Sequence, residues 1–283
     1  MSREAISAMG TQLGPEVLGK CEALYADEQQ AFAARIPPLD TDLSYGPQKR
    51  QRLDIFAPKG TGPWPILVFV HGGGFLKGDK GGGDRWPNAN VGRMAAERGF
   101  LGVVINYRLA PDNIWPSGAE DVAATVDWLK GNAAQHGGDP TKIVLMGTSA
   151  GAVHVSGYLK VRPTAAQDIR AAVLLSGLYG YTPLDDRDTL YYGDAALYGE
   201  RMPLEAVAST TLPLLIASAE FDPPRFQAEF AELVQDRLAR HGTNPRSFVA
   251  SGHNHYSMTM HLGTSDARLA DKIIEFANGV TCT

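Results

Sequence analysis

Short apolar runs alternate with longer segments of mixed polarity through the middle of the chain. Several runs are apolar almost throughout, which is typical of strands buried on both faces of a sheet. The segments between them repeat apolar residues at helical spacing, as Leu269, Ile273 and Phe276 do. This alternation predicts an α/β fold, with a mostly parallel sheet of about eight strands and helices on both faces. Strands are predicted at 51–56, 65–70, 101–107, 142–146, 171–176, 214–218 and 247–250, and helices at 86–98, 119–136, 150–160, 225–240 and 267–278.

Two segments do not follow this alternation. Residues 1–45 contain an amphipathic pattern that predicts one helix ahead of the first strand. Residues 181–212 are rich in Tyr, Asp and Pro and are longer than an ordinary connection. We expect one domain over residues 1–283, with both segments forming a small cap at the carboxyl edge of the sheet, where ligands bind in open α/β sheets. Simple packing on the protein surface is the alternative for both.

The charge and the cysteines narrow the classes of partner. The net charge is -5 and no Lys/Arg-rich run occurs, which argues against a nucleic-acid partner and favours a small neutral molecule. The chain has neither a signal-peptide core nor an apolar stretch of bilayer length, so we expect a cytoplasmic protein without a membrane partner. Cys21 and Cys282 are the only cysteines, and neither lies in a redox or metal motif. No cofactor is expected. The sequence is compatible with both a monomer and a homo-oligomer.

The candidate nucleophile is a serine in a Gly-x-Ser-x-Gly motif. Ser149 lies in Gly147 to Gly151 (GTSAG), between the predicted strand at 142–146 and the predicted helix at 150–160. This context is what makes the motif informative, because a sharp strand-to-helix turn exposes the serine and small flanking residues let neighbouring elements approach it. A glycine-rich turn with an incidental serine is the alternative. The other catalytic candidates make that alternative less favoured.

A second glycine-rich segment precedes the elbow. His71 to Phe75 (HGGGF) directly follows the predicted strand at 65–70, which places unobstructed backbone amides at the carboxyl edge of the sheet. Such amides can stabilise the oxyanion of an acyl-transfer reaction. We predict Gly73, Gly74 and Ala150 as the donors. A phosphate-binding loop is disfavoured because no Lys-Ser/Thr pair follows the glycines. We expect His71 itself to be structural.

A serine nucleophile needs a base, and the base needs a carboxylate to orient it. In enzymes with this elbow the acid follows a later strand and the histidine comes last. Glu220 and Asp222 follow the strand at 214–218, and we favour Asp222 because it stands before a Pro-Pro turn at the start of a helix. His253 and His255 follow the last strand, and we favour His255. A His-x-His metal site is disfavoured because no further cluster of ligands is apparent, so no metal is expected.

Further short motifs occur in a fixed order along the chain. They are Asn106 to Pro111 (NYRLAP), Trp115-Pro116, Asp121, Trp128-Leu129 and Gly138 to Pro140 (GDP). Together with HGGGF and GTSAG, they resemble the hormone-sensitive-lipase-like branch of the α/β-hydrolases, including small bacterial carboxylesterases related to arylformamidases and feruloyl esterases. The resemblance covers nearly the whole chain. It implies Ser149, Asp222 and His255 as the triad and Gly73, Gly74 and Ala150 as oxyanion donors.

The resemblance implies a serine carboxylesterase that hydrolyses small esters with short acyl or aryl groups. Thr148 and Tyr256-Ser257 depart from the residues common in the family and could change the pocket. An arylformamidase, an amidase or a carbamate hydrolase would use the same residues. A ligand receptor without catalysis is the alternative from another class, disfavoured by the intact triad set. The aromatic side chains that could line a small pocket are Tyr179, Tyr181, Tyr191 and Tyr192.

Overall fold

One eight-stranded sheet forms the centre of the protein. The computed structural model describes residues 3–82 and 85–282. The strand order is β1-β2-β4-β3-β5-β6-β7-β8; β2 is antiparallel to both of its neighbours, and all other pairs are parallel. The predicted sheet is therefore confirmed. The strands are β1 Asp40–Ser44, β2 Arg52–Phe56, β3 Trp64–Val70, β4 Leu101–Ile105, β5 Gly138–Thr148, β6 Ala171–Leu175, β7 Leu214–Phe221 and β8 Arg246–Asn254.

The largest departures from the predicted strands are at β1, β5 and β8. β1 was not predicted as a strand, because its sequence DTDLS has no apolar run and forms a half-exposed edge strand paired only with β2. β5 begins at Gly138 and not at residue 142, because Gly138 pairs with Trp64 of β3 ahead of a register shift. β8 continues past residue 250 to Asn254. This extension brings the segment that contains His253 and His255 to the carboxyl edge of the sheet.

The sheet is covered on both faces, and β3 shows how. Ile66, Val68 and Val70 face one hydrophobic core, and Leu67 and Phe69 face the other. This follows from the two-residue period of a strand. The helices are α1 Arg3–Met9, α2 Pro15–Arg35, α3 Ala89–Glu97, α4 Ser117–Asn132, α5 Ala150–Val161, α6 Ala165–Asp168, α7 Asp186–Tyr192, α8 Tyr198–Arg201, α9 Leu204–Ser209, α10 Pro224–His241, α11 Ser257–Met260 and α12 Arg268–Thr281.

The five predicted core helices are α3, α4, α5, α10 and α12. The helix predicted at 86–98 begins only at Ala89, and the one predicted at 119–136 ends as a 3₁₀ turn over Ala133–His136. The segment 181–212 contains α7, α8, α9 and a 3₁₀ turn at Ala195–Leu197, none of which has enough apolar repeats to be predicted from spacing. No helix within the described residues combines the length and apolarity needed to cross a bilayer.

The register of the sheet brings the ends of four strands together. Thr148 at the end of β5 pairs with Leu175 of β6, which in turn pairs with Ala217 of β7. Near the ends of β7 and β8, Phe221 pairs with Asn254. Neighbouring strands lie about 4.8 Å apart, so the segments that follow these four strands share one edge of the sheet.

Candidate active site

Ser149 lies at a sharp turn between β5 and α5. Its backbone angles are φ 54° and ψ −124°. Few residues with a side chain adopt this conformation, and strain of this kind costs about 1–3 kcal/mol. The Ser149 N–H donates a hydrogen bond to the carbonyl of Leu175 at 2.9 Å, which ties the turn to the end of β6. The chain therefore forms the strained strand-to-helix elbow that its sequence predicted.

The two glycines of the elbow leave room for no side chain. A Cβ atom on Gly147 would lie 2.4 Å from the backbone of Gly151, and one on Gly151 would lie 2.0 Å from the carbonyl oxygen of Val70. The start of α5 therefore packs directly on the ends of β3 and β5. Larger residues would force these elements apart.

We expect Gly151→Ala to lower the free energy of unfolding by about 3 kcal/mol or more, because the added methyl group would overlap the Val70 carbonyl. Gly19→Ala is the matched control: Gly19 lies inside α2 with no atom within 4 Å of an added Cβ. This control should raise stability by about 1 kcal/mol. Urea unfolding followed by circular dichroism measures both. Equal stabilities for the two variants would contradict the packing described for the elbow.

The HGGGF loop lies against the elbow. A Cβ on Gly72 would come 3.2 Å from the Cβ of Ser149. Gly73 has φ 128° and Gly74 has φ 59°, and a Cβ on Gly73 would lie 1.8 Å from the Lys77 carbonyl. Within residues 3–82 and 85–282, no group accepts a hydrogen bond from the N–H of Gly73, Gly74 or Ala150. These three donors are therefore free to bind an anionic oxygen beside Ser149.

Asp222 and His255 form a buried hydrogen-bonded pair. The His255 Nδ1 donates to the Asp222 Oδ1 at 2.8 Å, and Asp222 is completely buried. The other carboxylate oxygen, Oδ2, accepts hydrogen bonds from Ser176 Oγ (2.6 Å), Ser218 Oγ (2.8 Å) and the Ala219 N–H (2.7 Å). Burial raises the pKa of Asp222, but the hydrogen bond and charge of His255 and the serine donors outweigh it, so this pKa lies below its ordinary value. Asp222 is therefore ionised at neutral pH.

The residues that competed with this pair have other contacts. Glu220 forms an ion pair with Arg3 and accepts a hydrogen bond from the Gly252 N–H at 2.7 Å. His253 lies 3.3 Å from Ser257 Oγ and 3.5 Å from Asp266 Oδ2. The geometry therefore brings Asp222 and His255 together and leaves Glu220 and His253 out of the pair.

An apolar cluster links Ala150, the residue after Ser149, to the Asp222–His255 pair. The Phe226 ring lies 4.4 Å from the His255 ring, centroid to centroid, and Phe226 packs in the same cluster as Ala150 and Phe75. Within the described part of the chain, the Ser149 hydroxyl makes no hydrogen bond to His255. Such catalytic hydrogen bonds are often long without substrate and shorten when it binds.

Residues of the segment 181–212 cover the HGGGF loop. The Tyr191 ring of α7 stacks on Phe75 with centroids 4.4 Å apart. The guanidinium carbon of Arg187, also on α7, lies 3.2 Å from the position of a Cβ on Gly74. From the N-terminal segment, Leu13 packs on the cluster that contains Phe75. Both segments therefore contact the candidate site, although Met1 and Ser2 lie outside the described residues.

Two of the four tyrosines considered for the pocket lie elsewhere. Tyr179 is buried in the core beneath the sheet face, and Tyr181 donates a hydrogen bond to Asp236 Oδ2 at 2.7 Å. Tyr191 and Tyr192 lie beside Phe75 as an edge-to-face pair with centroids 5.2 Å apart. Spacing in the sequence could not separate the two groups, since the chain folds back between Tyr181 and Tyr191.

Comparison with known proteins gives partial sequence matches and a match over the whole fold. The BD-FAE family model matches residues 53–173. The "probable carboxylic ester hydrolase LipM" of Mycobacterium tuberculosis is 34% identical over 161 residues, covering 52% of this chain and 36% of the relative. Phenmedipham hydrolase of Pseudarthrobacter oxydans is 32% identical over 157 residues, covering 52% of this chain and 29% of the relative. The chain thus spans about a third of the length of these relatives.

Esterase B from Lactobacillus rhamnosis, solved with a tributyrin phosphonate inhibitor, superposes with a TM-score of 0.73 and 21% identity. The match covers 95% of this chain and 97% of the esterase. The chain has the α/β-hydrolase fold. Its resemblance to the carboxylesterases of this fold, inferred from the motifs, is confirmed by the sequence matches.

Two residues of the candidate site were not predicted. Ser176 and Ser218 both donate to Asp222, and Ser176 has a positive φ of 47°. A signal was present, because each serine ends an otherwise apolar predicted strand (171–176 and 214–218) at the edge where ligands bind. We infer that these two hydroxyl groups orient the Asp222 carboxylate and stabilise its negative charge.

Two buried histidines lie in and next to the HGGGF loop. His71 is fully buried and stacks on Tyr107, with centroids 4.4 Å apart; burial lowers the pKa of His71 to about 4. His154 is enclosed by Phe75, Tyr107 and Tyr191, and burial together with the charge of His71 lowers the pKa of His154 to about 3. Both side chains are therefore neutral packing groups at pH 7.

These histidines predict acid sensitivity. An unfolded histidine takes up a proton near pH 6.5. In the folded protein His71 and His154 stay neutral at that pH because their pKa values are lowered. His253 behaves in the same way, since burial and the neighbouring His261 lower its pKa to about 3. Stability is thus full above pH 6.5 and falls as the pH drops towards the folded values, by about 1.4 kcal/mol per pH unit for each histidine. Urea unfolding should show that the free energy of unfolding falls by up to about 2 kcal/mol per histidine between pH 7 and pH 5. In His154→Phe this fall should be smaller by the contribution of one histidine.

Equal stability of the wild type at pH 7 and pH 5 would contradict this prediction. His154→Phe can itself change stability, so the quantity to compare is the difference between the two pH values within each protein.

A second histidine cluster includes His253, two residues before His255. His253, His261 and Asp266 each bring one ligand-type atom within 4.8 Å of the others, which the sequence did not reveal. The two imidazole rings are stacked, with centroids 3.7 Å apart and an interplanar angle of 18°. In-plane lone pairs of nearly parallel rings do not converge on one ion, and Asp266 is already paired with Arg268 at 2.6 Å. The arrangement therefore does not favour a metal.

Proposed function

We propose that the protein is a serine carboxylesterase that hydrolyses small carboxylic esters through an acyl-enzyme. The observation that carries the proposal is the coincidence, at one edge of the sheet, of a strained serine elbow, free backbone donors and a buried Asp–His pair. Relatives named as ester hydrolases support it. Cytoplasmic location and homo-oligomer formation stay predictions from the sequence.

The first half of the reaction acylates Ser149. The Ser149 Oγ attacks the ester carbonyl carbon while His255 Nε2 takes the hydroxyl proton, and the N–H groups of Gly73, Gly74 and Ala150 bind the resulting oxyanion. The C–O bond to the alcohol then breaks, and His255 gives its proton to the leaving alkoxide. Because Asp222 is ionised and holds Nδ1–H, it keeps Nε2 free to accept the proton and stabilises the charged imidazolium.

The second half returns the enzyme. Water attacks the acyl carbonyl while His255 takes one of its protons, and the same donors bind the second oxyanion. His255 then protonates Ser149 Oγ as the acid departs. Each donor removed from such an oxyanion site costs about 3–4 kcal/mol of transition-state stabilisation, so the free N–H groups are central to the proposal.

Hydrolysis of p-nitrophenyl acetate, butyrate and octanoate tests the activity. We expect turnover that favours the short esters, because aromatic and aliphatic side chains pack around Phe75 and Ala150 beside the elbow. Phenylmethylsulfonyl fluoride should abolish turnover, and mass spectrometry should find its label on Ser149. Ester binding without turnover and without a label would sink the proposal and favour a ligand receptor.

An amidase-type or carbamate-type reaction would use the same residues. An aryl acetate compared with N-formylkynurenine and an N-methylcarbamate separates the three, because only the leaving group and the acyl substituent differ. We expect the highest kcat/KM for the acetate. A higher value for either of the other two would move the assignment to that reaction.

A further inference from the structure

An exposed arginine, Arg187, lies against the HGGGF loop beside the candidate oxyanion donors. Its Cζ, Nε and Nη1 atoms lie 3.2, 3.2 and 3.3 Å from the position that a Cβ on Gly74 would occupy. Because these three distances are nearly equal, the flat face of the guanidinium covers Gly74. The N–H donors along the edge of the guanidinium are therefore not directed at the loop.

The packing of α7 fixes Arg187 in this position. Arg187 and Tyr191 are four residues apart and so lie on the same face of α7, and Tyr191 stacks on Phe75 with ring planes 6° apart. The helix itself is anchored by the buried Asp188, which pairs with Arg225 of α10 at 2.6 Å. Arg187 is thus placed by its helix and keeps its own hydrogen-bond donors.

No acidic side chain neutralises Arg187. Across residues 3–82 and 85–282, its guanidinium makes no ion pair and no hydrogen bond. Asp185 and Asp188, at the start of the same helix, are both paired with Arg225. Asp186 is the adjacent residue, and adjacent residues of a helix do not face each other. The site therefore has an uncompensated positive charge at its surface.

This charge lies within reach of a substrate bound at the elbow. Ser149, Gly73 and Gly74 are each partly exposed, so the site is open to solvent. Bond lengths place the guanidinium carbon within about 6 Å of the Gly74 nitrogen. If the ester oxygen binds that N–H, a group about two to four CH₂ units from the carbonyl can contact Arg187.

We propose that Arg187 is a specificity-determining residue that binds a carboxylate carried by the ester substrate, an inference that rests on the proposed esterase activity. A guanidinium binds a carboxylate through two parallel N–H···O bonds, which are stronger than bonds between neutral groups. The net charge of -5, which favoured a neutral partner, is summed over the whole chain and does not describe this local charge.

Paired esters test which part of the substrate carries the carboxylate. In the acyl arm, monomethyl adipate is compared with methyl 5-carbamoylpentanoate, in which a neutral amide of the same shape replaces the carboxylate. In the alcohol arm, 4-acetoxybenzoate is compared with 4-acetoxybenzamide. The quantity measured is the ratio of kcat/KM for the charged ester to that for the neutral ester, by pH-stat titration.

We expect this ratio to be about tenfold higher in the wild type than in Arg187→Gln in one arm. Comparing the ratio between the two proteins cancels the intrinsic reactivity of each ester. Arg187→Lys should keep part of the preference, because it keeps the charge but not the two parallel donors. Added salt should reduce the preference of the wild type, since an exposed charge is screened.

Arg170→Gln is the matched control, because it removes the same charge at the opposite edge of the sheet. Arg170 precedes β6 and donates a hydrogen bond to the Thr141 carbonyl at 2.8 Å. Its ratios should equal those of the wild type. A fall in Arg170→Gln as large as in Arg187→Gln would overturn the inference, because net charge alone would then explain the preference.

Ratios that are the same in wild type and Arg187→Gln in both arms would also overturn the inference. This includes an equal loss for both members of a pair, which would mean that Arg187 acts on the reacting carbonyl and not on a carboxylate. If the wild type hydrolyses p-nitrophenyl butyrate but the ratios do not change, only the role of Arg187 falls. If it hydrolyses no ester, calorimetric binding of the same pairs to Ser149→Ala, with and without Arg187→Gln, decides the role of Arg187 separately.

Discussion

Ser149→Ala is expected to lower kcat for p-nitrophenyl butyrate by about 10⁶-fold, the loss seen when a triad hydrolase loses its nucleophile. The variant should keep its fold, since alanine leaves the elbow glycines and the Ser149 N–H bond to Leu175 in place. Any residual turnover should resist phenylmethylsulfonyl fluoride, because the acylation site is gone. Steady-state kinetics and circular dichroism measure the two properties.

Ser156→Ala is the matched control for this variant. Ser156 lies on α5 downstream of the elbow, and its buried hydroxyl has no hydrogen-bond partner. Its removal should leave kcat unchanged, since no charged or reacting group depends on it. A comparable loss in both variants would mean that damage to α5, and not loss of a nucleophile, explains the effect of Ser149→Ala.

Asp222→Asn should lower kcat by about 10⁴-fold with little change in KM. Three donors converge on Asp222 Oδ2, so the amide oxygen of the asparagine should take that position. Its NH₂ group would then face His255 Nδ1 and force the proton onto Nε2. In that tautomer the imidazole cannot accept the Ser149 proton, so the base is lost while the geometry is preserved.

Glu220→Gln is the control, because Glu220 lies two residues away but forms a surface ion pair with Arg3. Exposed pairs of this kind contribute little to stability, and Glu220 does not contact His255, so activity should stay within about twofold. If Glu220→Gln lost more activity than Asp222→Asn, the assignment of the acid would be wrong. The nitrogen chemical shifts of the His255 imidazole would report the change of tautomer in Asp222→Asn directly.

The sequence alone predicted the central sheet, the elbow and the catalytic candidates. The apolar runs predicted the sheet because buried strands exclude polar side chains, and GTSAG predicted the elbow because only glycines fit a backbone approach as close as that of Gly151 to Val70. Short motifs and their order along the chain predicted Ser149, the glycine donors, Asp222 and His255 as catalytic candidates.

Contacts between distant segments were decided only by the tertiary structure. The sequence favoured Asp222 over Glu220, but only the fold brings His255 and Ser176, at the end of β6, to the Asp222 carboxylate. Asp188 and Arg225 likewise meet only because α7 packs against α10, and no spacing along the chain encodes that approach. Periodicity reports which face of one element is buried, whereas the partner of that face depends on how all elements pack at once.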